Sequence, residues 1–273
     1  YDDALATIQA GIEKYTWSIR LRWLGHQVAP FTGQVDRGLG YYDDISRLAQ
    51  AYPWRYTDAD NLVILGRLAL SLGGDAREVQ DSFFMRARQN NPNHREPRLA
   101  LGELALDKRD LALAEEIFRE AVDMHPQDPE MHFGLGRALI ESNVEEAASH
   151  LHQTPDLNPH HIATWLLRVD RAIDAEDYET AEASLAEVLA VNPHHPDALA
   201  YQSGLATIHN DDAAAEQLRN EALALWDENP RVDYIIGREL SQKYRFAEGA
   251  EHQRQAVAYD PSFIEARKQL AED

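Results

Sequence analysis

Histidine is the residue type in this sequence that most invites a chemical reading, with twelve copies. Four of them form two pairs, Asn158-Pro159-His160-His161 and Asn192-Pro193-His194-His195, and His94 stands at the matching point of an earlier segment. Imidazole pairs are metal ligands in the right geometry, but zinc ligands lie about 2 Å from the ion. Equivalent points on stacked helical units stand about 8–10 Å apart, so the pairs read as exposed turn residues. His150 and His152 are two apart on a helix and face different ways. Paired acids Glu115-Glu116, Glu145-Glu146 and Asp211-Asp212 suggest acid–base work, yet they sit near helix starts, where the helix dipole favours negative charge. There is no cysteine, which excludes disulfides, thiol catalysis and thiolate metal ligands. No Gly-rich phosphate loop and no local Ser/His/Asp signature is present. The expectation is therefore no enzyme, no cofactor and no metal within this chain.

The elements that would position any such group are helices. Arg95–Asp128 reads as one copy of a recurring unit, marked by Leu101-Gly102, Ala105, Ala114, Phe118, Ala121 and Pro126. Gly102 inside an apolar-periodic helix costs about 0.5–1 kcal/mol relative to Ala, a cost that fits close approach of a second helix. Ala114 and Ala121 keep one face of that helix smooth, and Phe118 between them supplies bulk. Pro126 ends the unit, and Asp128-Pro129 reads as an N-cap followed by proline at the first helical position. The turn marker recurs at Thr16, Pro53, Pro92, Pro126, Pro159, Pro193, Asp227 and Pro261. The intervals are 37 and 39 residues for the first two units and 33 or 34 for the rest, with Phe31–Gly40 and Leu72–Ala76 expected as insertions. Tyr1–Tyr15 carries the second-helix pattern and Ile264–Ala271 the first-helix pattern, so a partial unit is expected at each end. No strand alternation or hairpin signal interrupts them.

This spacing resembles the tetratricopeptide repeat (TPR) family, whose period is 34 residues. Trp165 and the Leu-Gly or Ile-Gly pairs at 24–25, 65–66, 135–136 and 236–237 carry the same signature. The resemblance implies an all-α, right-handed superhelical solenoid of about seven repeats plus partial repeats. Residues 1–94 form longer, aromatic-rich repeats, 95–263 regular ones, and 264–273 a further start or cap. It also implies a non-enzymatic scaffold that binds a protein or peptide segment in a groove lined by first helices. Carried onto this sequence, the groove positions include Val63, Arg67, Glu103, Leu106, Phe133 and Arg137. Further along they include Leu166, Asp170, Asp174, Tyr234, Arg238 and Gln242. Leu99, Phe133 and Leu166 occupy the place where some TPR domains hold a carboxylate-clamping lysine, so no such clamp is expected. A weaker resemblance, through Leu240–Gly249, is to large bacterial multi-TPR proteins with a downstream zinc-peptidase-like domain. It implies the alternative role of a positioning arm, since no HExxH occurs here.

Net charge is −21, and residues 95–230 alone carry −19. A basic or neutral segment is the expected partner, and nucleic acid is not, since phosphate binding needs clustered Lys and Arg. No apolar run reaches the length of a membrane span, and nothing indicates a compartment. Apolar faces at the solenoid ends leave self-association open. Residues 1–60 hold ten of the 23 aromatics. Tyr15-x-Trp17 and Tyr52-x-Trp54 occupy equivalent turns, where they are expected to fill the gaps of the longer units, with a partner anchor as the alternative. The ninth position of successive units reads Arg67, Glu103, Arg137, Asp170, which predicts an ion-pair ladder along the groove.

Overall fold

Helix starts in the regular repeats are written into the sequence as caps. Asp110, Asn143, Asp177 and Asp211 each accept, through a side-chain oxygen, the backbone N–H three residues on. Pro129, Pro196 and Pro230 stand at the first helical position of their helices. The structure, a computed structural model, describes residues 1–273 and contains helices but no strand. It divides into two compact units, Tyr1–Pro159 and His160–Asp273.

In the first unit α1 (Asp2–Lys14) packs on α2 (Ile19–Val28), and α2 pairs with α3 (Val35–Ala51). Helix α4 (Ala59–Ser71) pairs with a helix running from Ala76 to Asn90. That helix consists of α5 (Ala76–Val79), a π segment over Gln80–Met85 and α6 (Arg86–Asn90). Then α7 (Arg95–Asp107) pairs with α8 (Leu111–Met124), and α9 (Pro129–Leu139) with α10 (Val144–Leu157). The buried apolar residues follow these pairs rather than forming one centre. Ile19, Ile45 and Tyr56 belong to one cluster, Val63, Phe84 and Ala87 to the next, and Phe118, Met131 and Leu135 to a third.

In the second unit α11 (Ile162–Asp174) pairs with α12 (Tyr178–Val191), and α13 (Pro196–Ile208) with α14 (Asp212–Ala222). Helix α15 (Pro230–Gln242) pairs with α16 (Phe246–Tyr259), and α17 (Ile264–Glu272) packs on α16. One cluster joins Val169, Ile173, Leu185, Leu199, Ile235 and Leu240. Helix α11 reaches both α13 and α15.

Four of the turns between paired helices, α7–α8, α11–α12, α13–α14 and α15–α16, carry a non-glycine residue in the left-handed region: Arg109, Glu176, Asn210 and Tyr244, with φ of 60–62°. The following residue donates its N–H to a carbonyl five back, as Asp177 does to Ala172 at 2.8 Å and Arg245 to Leu240 at 2.9 Å. This is the six-to-one closure that terminates a helix.

The expected insertions resolve differently. The first long unit spends its extra residues on helix: α3 has 17 residues, against 14 for α8, α10, α12 and α16. In the second, Leu72–Asp75 is a short link that turns at Gly73 (φ +83°), and the π segment takes up further length.

Candidate partner-binding site

First helices of the first unit wall a cavity of about 580 Å³. Arg67 and Glu103 lie on it with Arg95, Glu96, Asp107, Glu130, Leu99, Leu70 and Trp23. Arg67 donates to Glu103 at 2.9 Å and lies 3.6 Å from Glu96. Arg95 pairs with both Asp128 and Glu96. Four acids thus face two arginines, and the wall is negative on balance. Burial pushes the Glu103 carboxyl up, and this outweighs the Arg67 guanidinium that pulls it down. Trp23 presents a buried indole N–H that makes no hydrogen bond, and such donors are seldom left unpaired in folded proteins.

The other groove positions of this unit fall in two places. Val63 and Leu106 are buried in the apolar clusters. Phe133 and Arg137 are half-buried, and the Arg137 guanidinium lies 5.6 Å from the Phe133 ring centre. The expected ladder is therefore formed only at its first rung. Arg137 spends its guanidinium on the Phe133 face and makes no ion pair with Glu103.

In the second unit Asp170, Tyr234 and Arg238 come together. Arg238 donates to Asp170, to the Tyr201 hydroxyl at 2.8 Å and to Glu239 at 3.0 Å. Its guanidinium lies 5.7 Å and 5.9 Å from the ring centres of Tyr234 and Tyr201. The pairing of Asp170 with Arg238 spans 68 residues, two repeats rather than one. Burial lowers the readiness of Arg238 to stay charged, but Tyr201, Asp170 and Glu239 together hold its pKa above the usual arginine value. Glu239 is fully buried, and burial pushes its carboxyl up to about 7 despite Arg238. Leu166 is half-buried against the core, while Asp174 and Gln242 are exposed. The Asp174 carbonyl accepts from Lys243 Nζ at 3.1 Å.

The histidine pairs correct a sequence expectation. His160 and His194 are exposed, but His161 and His195 are buried. The second histidine of each pair is the N-cap of the next helix, which folds its ring inward. The His161 Nδ1 accepts the Thr164 N–H at 3.2 Å, and His94 caps α7 through Glu96 N. A further pair has no mark in the repeat pattern: buried His132 meets His150, Nδ1 to Nδ1, at 2.9 Å, and the His132 Nε2 lies 3.0 Å from the Pro126 carbonyl. Only one tautomer set satisfies both contacts: His132 donates from Nε2 to the carbonyl, and its Nδ1 accepts from His150. No group of three or more His, Asp or Glu stands in metal-binding geometry. The acid pairs serve helices and arginines: Asp211 caps α14, and Arg119 bridges Glu115 at 2.8 Å and Glu146 at 2.6 Å.

Several cavity residues lay outside the sequence-derived set. Glu96 and Glu130 are 34 residues apart, one position in two successive repeats, and that register was the available signal. Tyr201 and Glu239 lie off the groove positions, and nothing in the repeat pattern marks them.

The sequence matches the tetratricopeptide repeat family over residues 99–161 and 166–230. No curated protein matches it. Among solved structures, a chain of the APC/C hetero-tetramer Cut9–Hcn1 is similar over 99% of this chain and 52% of its own, with a TM-score of 0.64 and 15% identity. Yeast Tom70 is similar over 92% of this chain and 56% of its own, with a TM-score of 0.60 and 15% identity. A tetratricopeptide repeat protein of Parabacteroides merdae covers 93% of this chain and 97% of its own length, with a TM-score of 0.58 and 12% identity. The chain spans about half the length of the first two. At these identities the likeness shows the fold, an all-helical repeat array over nearly the whole chain. No helix is long and apolar enough to cross a membrane.

Proposed function

The chain is built of tetratricopeptide repeats, a fold that supports protein–protein interaction, and from that premise we propose that it is a non-catalytic scaffold holding a segment of another protein against its first-helix face. The cavity of the first unit is the proposed seat, and the observation that carries the reading is its mixture of surfaces. Leu99, Leu70 and Trp23 offer apolar area, Arg67 and Glu103 fix orientation, and the acids Glu96, Asp107 and Glu130 set the sign of the field. Ligand sites set placed polar groups against apolar walls, and here the polar and charged groups make up the larger part of the lining. The proposed partner is a neutral or basic segment, since complementary potential governs which partners approach and in what register.

The test is fluorescence anisotropy with labelled peptides of matched length that carry lysines, glutamates or neither. Lysine peptides should bind best and lose affinity on adding salt. The double variant Glu103→Lys, Glu130→Lys should weaken them by about tenfold or more, each lost close pair being worth about 1.5 kcal/mol or above. Preference for the glutamate peptides, or indifference to the double variant, would overturn the reading.

A further inference from the structure

The expectation that the turn aromatics fill gaps holds for Tyr52 and fails for the other three. Tyr52 is half-buried against the Ile19–Ile45 cluster, whereas Trp54 is 68% exposed, Tyr15 56% and Trp17 42%. Trp17 and Tyr52 meet edge to face, with ring centres 4.7 Å apart and planes at 88°. Tyr52 and Trp54 repeat the geometry at 5.7 Å and 85°. Three rings from two successive turns therefore stand in a row, each perpendicular to the next.

The row is held from beneath. Buried Tyr56 donates its hydroxyl to the Trp17 carbonyl at 3.0 Å, which ties the α1–α2 turn to the turn after α3. Pro53 opens a short 3₁₀ turn, Pro53–Arg55, and the Arg55 N–H closes it on the Tyr52 carbonyl at 3.0 Å. Rigid aromatic side chains on fixed turns lose little freedom on binding, which is the usual cost of an interface.

Two cations accompany this row of rings. The Arg55 guanidinium lies 4.6 Å from the Trp17 ring centre and 6.0 Å from that of Tyr52, and it makes no ion pair. Lys14 rests over Tyr15 at 5.2 Å, also without a carboxylate. The next acids along the chain, Asp58 and Asp60, are both engaged by Arg20, at 2.5 Å and 2.8 Å. Two cations that make no ion pair thus stand on the aromatic turns, although Glu13 precedes Lys14 in the chain.

We propose that Trp17, Tyr52, Trp54 and Arg55 form a second docking surface, for a proline-containing acidic segment of another protein. Perpendicular neighbouring rings leave notches rather than one broad stacking platform, and a pyrrolidine ring is compact enough to sit in a notch. A polyproline II segment exposes such a ring on a preformed backbone with no internal hydrogen bonds, and aromatic-lined grooves recognise it this way. Arg55, 4.6 Å from the Trp17 ring centre, gives a carboxylate beside the proline a bidentate partner. Two cations suit a short acidic segment, whereas a nucleic acid would meet the repulsion of the remaining chain. This surface lies on turns and is independent of the first-helix cavity.

The test probes the purified chain with short arrayed peptides that vary separately in proline content and net charge. Signal should rise with proline and with acidic residues, and anisotropy on the best peptide should report the affinity. Trp54→Ala and Arg55→Glu should each weaken it by about tenfold or more. Both residues are exposed, so melting curves of the variants should match the parent. Glu103→Lys should leave this binding unchanged, which separates it from the cavity. The inference fails if no peptide binds, if signal follows positive charge or general hydrophobicity, or if the two variants bind as the parent does. Co-sedimentation with anionic phospholipid vesicles that depends on Trp54 in place of peptide binding would also overturn it.

Discussion

The Phe118 ring of α8 occupies the space that a side chain at Gly134 of the next repeat would need. The same ring lies against Gly102 of its own repeat, where an added Cβ would stand 2.5 Å from the ring edge. One fully buried aromatic therefore sets the separation both within a repeat and between repeats. Gly134→Ala should cost about 1–3 kcal/mol through overpacking, and Phe118→Ala about 3–5 kcal/mol through the cavity it leaves. Urea unfolding of the three chains side by side checks the order. A neutral Gly134→Ala would mean that the spacing is set elsewhere.

Asp233 anchors the corresponding joint of the second unit. Its fully buried carboxylate accepts two bonds from Arg219, at 2.9 Å and 2.7 Å, and one from His252 Nδ1 at 2.6 Å. Burial works to raise its pKa, but the bonds from His252 and Arg219 prevail and hold it below the ordinary value. A depressed carboxylate contributes stability above its unfolded pKa of about 3.9 and loses it as pH falls through the folded value. Asp233→Ala should cost about 1–3 kcal/mol at neutral pH, because it leaves the partly exposed Arg219 and His252 without their acceptor. Acid unfolding of the variant should show a weaker dependence on pH in that range.

The His132–His150 contact carries the opposite chemistry and a similar direction. Burial first, and His132 second, lower the His150 pKa, with Glu146 opposing and Arg119 reinforcing. The neutral ring is the folded form, so its contribution is complete above the unfolded pKa of about 6.5 and falls as pH drops through the folded value. Melting temperatures between pH 7.5 and pH 5 should decline less in His150→Asn than in the parent. Parallel curves would remove His150 as a cause.

Glu239 titrates the other way. With its carboxyl pushed up to about 7 and Oε2 buried without a partner, it favours folding when protonated. That contribution is full below its unfolded pKa of about 4.3 and is lost as pH rises through the folded value. Glu239→Gln should therefore melt higher than the parent above pH 8 and at nearly the same temperature near pH 5. A lower melting temperature at high pH would show that the charged form is the stabilising one.

Tyr244 sits at φ 62° with its side chain 84% exposed. Left-handed backbone costs a non-glycine residue about 1–2 kcal/mol, and little burial is lost with this ring. Tyr244→Gly should raise stability by a fraction of that cost, part being returned as unfolded-chain entropy.

The helical repeats were legible because their information is local: a small residue where helices touch, a cap at a helix start, a proline at a turn. What escaped the sequence depends on side chains that choose among several partners. Arg137 lies on Phe133 rather than on Glu103, and Asp170 finds Arg238 two repeats away, because a long guanidinium reaches rings and carboxylates alike. The inward histidines were misread for a similar reason: position in the repeat places His161 at a turn, and only its cap geometry buries it. Half of the groove reading concerned long side chains of this kind. Arg67 and Glu103 meet as expected, while the acids around them, at positions such as Glu96 and Glu130, became evident only as a cavity wall.

Amide hydrogen exchange of the full chain, with and without a saturating lysine-bearing peptide, tests the central proposal most directly. A segment seated on the first-helix face of the first unit should slow exchange along α4 and α7, around Arg67 and Glu103, and leave the outer face of α8 unchanged. Protection confined to α8 and the other second helices, or no protection at all at saturation, would contradict it.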